Sequence, residues 1–316
     1  MKSLLNLFFL ISVFSLSGCI GSDSGGGDTK TGISSVTYTG KTEPATFTSA
    51  ADVDALYQEY MSSGTGSMDD TFDFYNTMNS GSATTNSPVV KALSKLEPSR
   101  YTLKATQSIN ESAQGDCGGS ASVKGSYDDV TGYLDITLTT NNYCETYYNY
   151  DYGNYSETYM NGSFRLKGNL NELELTFTAF SLKDLTDGVH VEMGGSMKME
   201  AGSGVWETQT TANFVVKDYI LDKQFKMQNY VIVSNYSSFE ENGRLYHSDY
   251  GYVDVATLET LADDWYREYP TAGKIKITGT KTYIIEYSYD TYTIGEDING
   301  DGLVDETPVT FDNPAT

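Results

Sequence analysis

The feature that most constrains the fold is an alternation of apolar and polar residues that recurs after Tyr101. The clearest runs have apolar residues at every second position: Leu134, Ile136 and Leu138; Leu173, Leu175 and Phe177; Val189, Val191 and Met193. Neighbouring side chains of a strand point to opposite faces, so each run predicts a strand with one buried and one wet face. We therefore predict a mainly β domain over residues 101–316, an antiparallel meander that forms an open barrel or a two-layer sheet.

The preceding residues 33–100 lack this alternation, and we predict a small helical and extended cap there. A helix is expected after Thr48 or Ser49, either of which can cap it, and before Gly64. Its apolar stripe consists of Val53, Leu56, Tyr57, Tyr60 and Met61. A second, short helix is predicted over residues 87–97, before Pro98. Farther along, residues 257–269 fit a helix by their Leu258, Leu261 and Trp265 spacing, and fit a loop equally well.

The first eighteen residues have the parts of an export signal, with Lys2 followed by an apolar run that ends at Leu16. The run is shorter than the roughly 20 residues that a membrane-spanning helix needs. It ends in Leu16-Ser17-Gly18-Cys19, which resembles the lipobox of bacterial lipoproteins. The resemblance implies that residues 1–18 are a cleaved signal peptide and that Cys19 carries acyl chains such as palmitate. The alternative is a secreted protein whose Cys19 is an unmodified thiol.

This resemblance also implies a location in the cell envelope. Ile20 stands where aspartate tends to retain lipoproteins at the inner membrane, so the outer membrane is favoured, with its periplasmic and surface faces both open. Residues 19–32 are rich in Gly and Ser and are expected to be a flexible linker. With 20 Lys and Arg against 43 Asp and Glu, the net charge of −23 excludes a nucleic-acid partner, whose phosphates would be repelled.

Two further cysteines, Cys117 and Cys144, are predicted to form a disulfide, as an even pair in an exported protein does. The chain between them predicts a hairpin with strands at 120–126 and 133–140 around a turn at 127–132. Reflection about the middle of that turn places residue 117 opposite residue 144. The alternative, a metal–thiolate site, lacks further Cys or nearby His residues.

A loop near the C-terminus resembles the calcium loops of EF-hands and, more closely, of dockerins. The predicted ligands of a structural Ca²⁺ are Asp297, Asn299, Asp301, the carbonyl of Leu303, and Asp305. Oxygen side chains at alternate positions converge on a hard cation, and Gly302 allows the sharp turn. The sequence departs from the motif at its closing position, where Pro308 supplies no side-chain oxygen, so Glu306, another strand or water must close the site. The alternative is an acidic turn without an ion.

A tyrosine cluster beyond the predicted disulfide is the candidate ligand-binding surface, with Tyr147, Tyr148, Tyr150 and Tyr152 as its central residues. Tyrosine gives a large contact area at a small entropy cost and can also hydrogen bond, which suits an envelope protein or a polysaccharide as partner. The alternative is a tyrosine-rich hairpin loop that covers the edge of the core.

Signatures of catalysis are weak, and the balance is against an enzyme. The two histidines, His190 and His247, are interpreted as solvated and structural residues respectively, and the sequence has no phosphate loop, Rossmann fingerprint or G-x-S-x-G motif. The leading hypothesis is a lipid-anchored, non-enzymatic binding or scaffolding module of the envelope. The alternatives are a carrier of lipid or lipoprotein in an apolar concavity of the sheet, and a carbohydrate-active hydrolase with paired carboxylates.

Overall fold

The computed structural model describes residues 36–60, 106–128, 130–149, 154–169, 171–184, 189–202, 207–235, 237–262 and 269–313. These residues contain one small helix, α1 (residues 50–60), and fourteen strands. The strands are β1 (Gln107–Gln114), β2 (Gly118–Asp128), β3 (Tyr133–Asn149), β4 (Asn154–Gly168), β5 (Glu172–Asp184), β6 (Val189–Ala201), β7 (Thr208–Asp218), β8 (Lys223–Ser234), β9 (Ser238–His247), β10 (Gly251–Ala262), β11 (Ala272–Thr278), β12 (Thr282–Tyr287), β13 (Thr291–Glu296) and β14 (Val309–Asp312).

All fourteen strands form one antiparallel sheet in which each strand pairs with its neighbours in the chain, so the predicted meander is confirmed. The sheet is open, because β1 and β14 do not pair with each other. In an antiparallel meander every second turn lies at the same end of the sheet. The turns after β1, β3, β5, β7, β9, β11 and β13 therefore share one end, and the other turns share the opposite end.

One face of the sheet, the inner face, carries the buried apolar side chains of the strands, and these belong to one contiguous core. The alternation of buried and half-buried residues that makes this face is clear in β7, whose pattern switches at each residue from Thr210 to Asp218. Such a face needs cover or curvature to exclude water, because a flat single layer leaves one side of its apolar residues wet.

A row of β-bulges crosses the middle of the sheet. Extra residues in β3, β5 and β8 interrupt the register next to Asn142, Ala179 and Asn229, which all have positive φ. Glycines on the neighbouring strands face these bulged residues, where a larger residue would clash. At Gly162, for example, an ideal Cβ would lie 2.1 Å from the carbonyl oxygen of Ala179. Bulges increase bend and twist, so aligned bulges crease the strands along one line and turn the inner face towards itself.

The predicted helix is confirmed as α1, and its stripe faces the core. Val53, Leu56, Tyr57 and Tyr60 are all buried. The helix begins with a capping arrangement in which the Asp52 carboxylate accepts hydrogen bonds from the amides of Thr48 (2.8 Å) and Ser49 (3.0 Å). The apolar stripe thus packs on the inner face of the strands from β8 to β13, through contacts such as Tyr60 with Tyr230 and Tyr57 with Tyr287.

The residues before α1, which we call the strap (residues 36–48), cross one end of the sheet. The Ala45 amide donates to the Tyr252 carbonyl (2.7 Å), and the Tyr252 amide donates to the Glu43 carbonyl (2.8 Å), so the strap adds a short parallel bridge to β10. This passage needs glycine: an ideal Cβ on Gly251 would lie 2.2 Å from the Glu43 carbonyl oxygen. Since Tyr252 follows the turn after β9, the strap crosses the end that carries the turns after odd-numbered strands, here called the strap end.

Two expectations change in detail. The first part of the undecided stretch 257–269 is neither helix nor loop, because residues 257–262 continue β10. The register shifts on either side of Glu259, and Leu258 is exposed whereas Leu261 is buried, so the two leucines do not share a buried face. The predicted hairpin register holds from Tyr127–Leu134 to Ser120–Asn141, after which a bulge pairs Gly118 with Cys144. The predicted helix at 87–97, Met61 and Gly64 lie outside the described residues.

Candidate functional site

The predicted disulfide joins Cys117, in the turn after β1, to Cys144 of β3, with a Cα–Cα distance of 5.2 Å. The bulge in β3 accounts for the pairing, because it brings Cys144 opposite Gly118 and leaves Cys117 just beyond the ladder, with its amide still facing the Cys144 carbonyl at 3.4 Å. Cys144 is fully buried and Cys117 is exposed. The bridge therefore fixes the strap end of β1 to β3, next to the strands that carry the tyrosine-rich sequence.

Three outward-facing residues of β4 form an exposed row beside this disulfide: Tyr155, Glu157 and Tyr159, called the β4 row below. Tyr155 is 73% exposed and Tyr159 is 40% exposed. The Tyr159 hydroxyl donates to the Glu157 carboxylate (2.6 Å), and this bond raises the pKa of the Tyr159 hydroxyl. Tyr159 is the cross-strand partner of Cys144, so the row stands directly against the disulfide. A strand holds these side chains at fixed spacing, and the row offers aromatic faces, a hydroxyl and a carboxylate to a ligand.

The same residues include a set with metal-ligand chemistry. The two sulfur atoms of Cys117 and Cys144 and a carboxylate oxygen of Glu157 lie within 4.8 Å of one another. Thiolates bind metal ions, whereas the sulfurs of a disulfide carry no thiolate. The bridged form of this site is therefore a structural cross-link.

The described part of the chain includes the side chains of none of the four tyrosines that were predicted from the sequence to form the binding surface. Tyr147 and Tyr148 lie on β3, where Tyr148 pairs with Tyr155, and their side chains lie outside the described part of the chain. Tyr150 and Tyr152 fall wholly outside it. The exposed tyrosines that can be described are instead Tyr155 and Tyr159, which belong to the same tyrosine-rich stretch.

Two inward-facing carboxylates on either side of β4 are the ones to weigh against the hydrolase alternative. Glu145 of β3 and Asp184 of β5 are both cross-strand partners of Thr158. Burial raises the pKa of Glu145, an effect opposed by its hydrogen bond from the Tyr143 hydroxyl. Asp184 is 3% exposed and accepts hydrogen bonds from Ser156 (2.8 Å) and Thr158 (2.8 Å). These bonds satisfy Asp184 and its burial keeps it from substrate, so the pair is suited to holding strands together.

A buried carboxylate that the sequence did not single out lies under α1. Glu241 of β9 is 4% exposed and accepts hydrogen bonds from the hydroxyls of Tyr230 (2.8 Å) and Tyr57 (3.4 Å). Burial raises the pKa of Glu241, and the two hydroxyls oppose that shift because they stabilise the ionised form. The same burial raises the pKa values of Tyr57, Tyr60 and Tyr230. This tyrosine-lined carboxylate ties α1 to the sheet.

His247 is structural, as interpreted from the sequence. Its Nε2 lies 2.7 Å from a carboxylate oxygen of Glu59 on α1, and its Nδ1 accepts a hydrogen bond from the Asp249 amide (3.1 Å). A neutral ring protonated at Nε2 satisfies both contacts. Burial lowers the pKa of His247, although Glu59 opposes this effect. With both nitrogens engaged and the ring buried, His247 has no role as an exposed general base.

His190 differs from its interpretation as a simply solvated residue. Its ring stacks on the ring of Tyr219, with centroids 4.5 Å apart, and the residue is only half-buried. Desolvation lowers the pKa of His190, and the nearby Lys183 lowers it further.

The calcium-like loop is held by its own oxygen side chains. The buried Asp297 carboxylate accepts from the amides of Gly300 (2.7 Å) and Gly302 (3.0 Å), and the Asp305 carboxylate accepts from the amides of Ile298 (2.7 Å) and Asn299 (3.1 Å). Gly302 has φ +84°, which is the sharp turn expected of it.

The remaining predicted ligands follow the same pattern. The Asn299 side-chain oxygen accepts from the Asp301 amide, and the Asp301 carboxylate accepts from the Leu303 amide, both at 2.9 Å. The donor set suits a hard cation, since oxygen atoms with a second lone pair can accept a hydrogen bond and still bind an ion. Calcium at this loop stays a prediction.

Comparison of the chain with protein-family models, with curated proteins and with solved structures finds no match in any of the three. Among the residues that the structure describes, no helix has both the length and the apolar character needed to cross a membrane. Function must therefore be inferred from the residues and contacts of this chain.

Proposed function

We propose that this chain is a lipid-anchored protein of the cell envelope that binds a partner through the β4 row and catalyses no reaction. The observation that carries the binding site is the outward row Tyr155, Glu157 and Tyr159, fixed on a strand beside a disulfide. Such a row gives a partner aromatic area without a large loss of side-chain entropy on binding. The membrane anchor rests on the resemblance of residues 16–19 to a lipobox.

The internal packing supports surface binding over the carrier alternative. The inner-face residues form one contiguous buried core, and α1 packs into the half of that face formed by β8 to β13. A carrier needs an apolar cavity large enough for an acyl chain, on the order of 300 Å³ or more. A face already packed with its own side chains is better suited to supporting a binding surface than to holding cargo.

The tether is tested by fractionation of the full chain. We expect the wild-type protein to float with membranes, and the Cys19→Ser variant to remain soluble or to be retained as an uncleaved precursor. Two acyl chains hold a protein on a bilayer stably. A precursor that is held only by its uncleaved signal segment is recognised by its larger mass. Unchanged mass and flotation in the Cys19→Ser variant would exclude the lipid tether.

The binding surface is tested by a photo-crosslinking residue placed at Tyr155 in intact cells, with Tyr133 as the control position. Tyr133 is also exposed but lies at the opposite end of the sheet, where β3 begins. An envelope-protein partner predicts crosslinks at position 155 that are missing at position 133. A polysaccharide partner predicts instead that purified protein binds envelope glycan and that Tyr155→Ala with Tyr159→Ala weakens binding at least about tenfold. The absence of both results would overturn the proposed site.

A further inference from the structure

The turn between β7 and β8 exposes three consecutive apolar residues, Tyr219, Ile220 and Leu221, which we call the apolar tip. Their exposed fractions are 41%, 52% and 43%. Large apolar residues exposed singly are normal on a protein surface, whereas a contiguous group at the apex of a hairpin requires an explanation.

The backbone of this turn is held rigidly. The Asp218 carboxylate accepts hydrogen bonds from the amides of Ile220 (2.8 Å) and Leu221 (2.9 Å), and Asp222 completes the turn with φ +54°. Tyr219 is fixed as well, because its hydroxyl donates to the Glu192 carboxylate (2.7 Å) and its ring stacks on His190. The apolar tip is thus presented in one conformation, and a partner would lose little entropy in meeting it.

A second turn shows that this scaffold does not require three consecutive apolar residues at its apex. In the turn between β2 and β3, the Asp128 carboxylate accepts from the amides of Val130 and Thr131, each at 2.9 Å, and Gly132 completes the turn with φ +66°. Val130 and Thr131 therefore align with Ile220 and Leu221, and Asp129 with Tyr219, so this turn has one apolar residue where the apolar tip has three. A turn of this type can therefore form without the three apolar residues, so its folding does not explain why the turn after β7 exposes them.

The apolar tip lies where the described chain begins. The turn after β7 is at the strap end, and the strap touches the strand that leaves it: the Thr39 amide donates to the Gln224 side-chain oxygen at 2.8 Å, two residues into β8. Sixteen residues, 20–35, separate Cys19 from Val36. At about 3.5 Å per extended residue, this length keeps Val36 within about 60 Å of Cys19.

We infer that the apolar tip inserts into the interfacial layer of the lipid bilayer that holds the acyl chains of Cys19; the inference rests on the lipid tether proposed above. An amphipathic tyrosine beside two aliphatic side chains suits that layer, where the hydroxyl stays wet while the apolar atoms enter the acyl region. The tether holds the strap, and the strap contacts β8 beside the apolar tip. The apolar tip therefore lies within reach of the bilayer when Cys19 is anchored.

Local charge selects zwitterionic lipid as the surface. Lys217 lies over the Tyr219 ring with its Nζ 4.4 Å from the centroid, and Lys223 is paired with Asp249. Glu192 and Asp222 balance these cations. Because the whole chain carries a net charge of −23, anionic lipid would repel the body, and contact must come from apolar and aromatic groups.

The test is the depth of a spin label in the lipidated protein. Ile220→Cys is labelled with a nitroxide and reconstituted in phosphatidylcholine vesicles, and its accessibility to oxygen is compared with that to a water-soluble nickel complex. Val130→Cys is the matched control, since its amide has the same place in the equivalent turn at the opposite end. With Cys117 and Cys144 joined and Cys19 acylated, the new cysteine is the free thiol to be labelled. We expect the oxygen-to-nickel ratio to be at least about threefold higher at position 220 than at position 130.

Each outcome decides the inference. Equal ratios at the two positions in protein that floats with the vesicles overturn membrane insertion and leave the tether standing. Protein that does not float removes the tether, and the inference falls with it. Hydrogen exchange of the unlabelled protein guards against effects of the substitution: vesicle-bound wild type should exchange the amides of residues 219–222 at least about tenfold more slowly than the Cys19→Ser variant in buffer. No slowing at those amides also overturns the inference.

Discussion

Strands β2 to β7 and strands β8 to β13 belong to one sheet, yet their inner faces are built from different residues. The first half buries aliphatic side chains, phenylalanine and methionine, such as Phe180, Leu182 and Met193. The second half buries tyrosines around Glu241, and places His247 against Glu59 of α1. Apolar contacts are non-directional, whereas each buried hydrogen bond fixes two atoms. The first half should therefore tolerate rearrangement except around buried Asp184, which Ser156 and Thr158 hold by hydrogen bonds, while the second half specifies how α1 and the strap are seated.

The largest difference in the cost of a substitution, measured as free energy of unfolding, is expected where the strap passes β10. Gly251→Ala should lower the free energy of unfolding by more than about 3 kcal/mol, because its backbone is left-handed and its Cβ would meet the Glu43 carbonyl. Gly132→Ala, also at positive φ but in open space, should cost only about 1–2 kcal/mol. Urea unfolding measures both. Equal costs would show that the strap is not held against β10.

Core substitutions of similar size should separate the halves next. Tyr230→Phe removes a hydrogen bond to buried Glu241 and should cost about 1–3 kcal/mol, since the carboxylate loses a donor without gaining water. Met199→Leu keeps its volume in the first half and should cost less than about 1.5 kcal/mol. If Met199→Leu proved the costlier change in denaturant unfolding, the distinction between a tolerant half and a specified half would be wrong.

A calcium ion would stabilise the second half alone. At a few millimolar Ca²⁺ we expect a gain of about 1–2 kcal/mol, given the weak affinity of extracellular-type sites. Hydrogen exchange should slow in β13 and β14, which flank the loop, and remain unchanged in β2 to β7. Asp301→Ala should abolish the gain, and Mg²⁺ should not replace Ca²⁺. A melting temperature that is the same in Ca²⁺ and in chelator would leave the loop as an acidic turn.

The smallest expected effect is a pH dependence that comes from Glu241. Its pKa in the folded protein is raised above the ordinary value of 4.5, so the folded state holds the proton more tightly than the unfolded state. The stabilisation from this group is complete below pH 4.5 and is lost as pH rises through the folded pKa. The unfolding free energy of wild type relative to Glu241→Gln should therefore fall over that window. A difference between the two proteins that stays constant as pH rises above 4.5 would contradict the buried site.

Much of the sheet could be predicted from the sequence, because alternation and turn residues are local signals. The hairpin of β2 and β3 and the disulfide followed from symmetry about one turn, and the α1 stripe followed from helical spacing. The bulges could not be predicted in the same way. One extra residue shifts which side chains face inward, so the helical spacing of Leu258 and Leu261 at the end of β10 does not mark one buried face: Leu258 is exposed and Leu261 is buried.

The tyrosine-lined carboxylate was missed for a related reason. Glu240 and Glu241 are adjacent and chemically identical, so only the register of β9 against β8 determines which one is buried. The partners of Glu241, Tyr57 and Tyr230, are 184 and 11 residues away. No short-range pattern joins them. A single sequence therefore indicates that tyrosines abound and leaves open which of them surround a charge.

The seating of the strap and α1 has a consequence for the order in which the protein assembles. Each strand of the meander pairs with its neighbour in the chain, so hairpins can form one after another in chain order. The strap and α1 are made early but contact residues made late: Pro44 bridges to Tyr252, and Phe47 packs on Tyr283. The earliest described segment must therefore wait for nearly the whole chain, and its docking is the step that seals a nearly complete molecule.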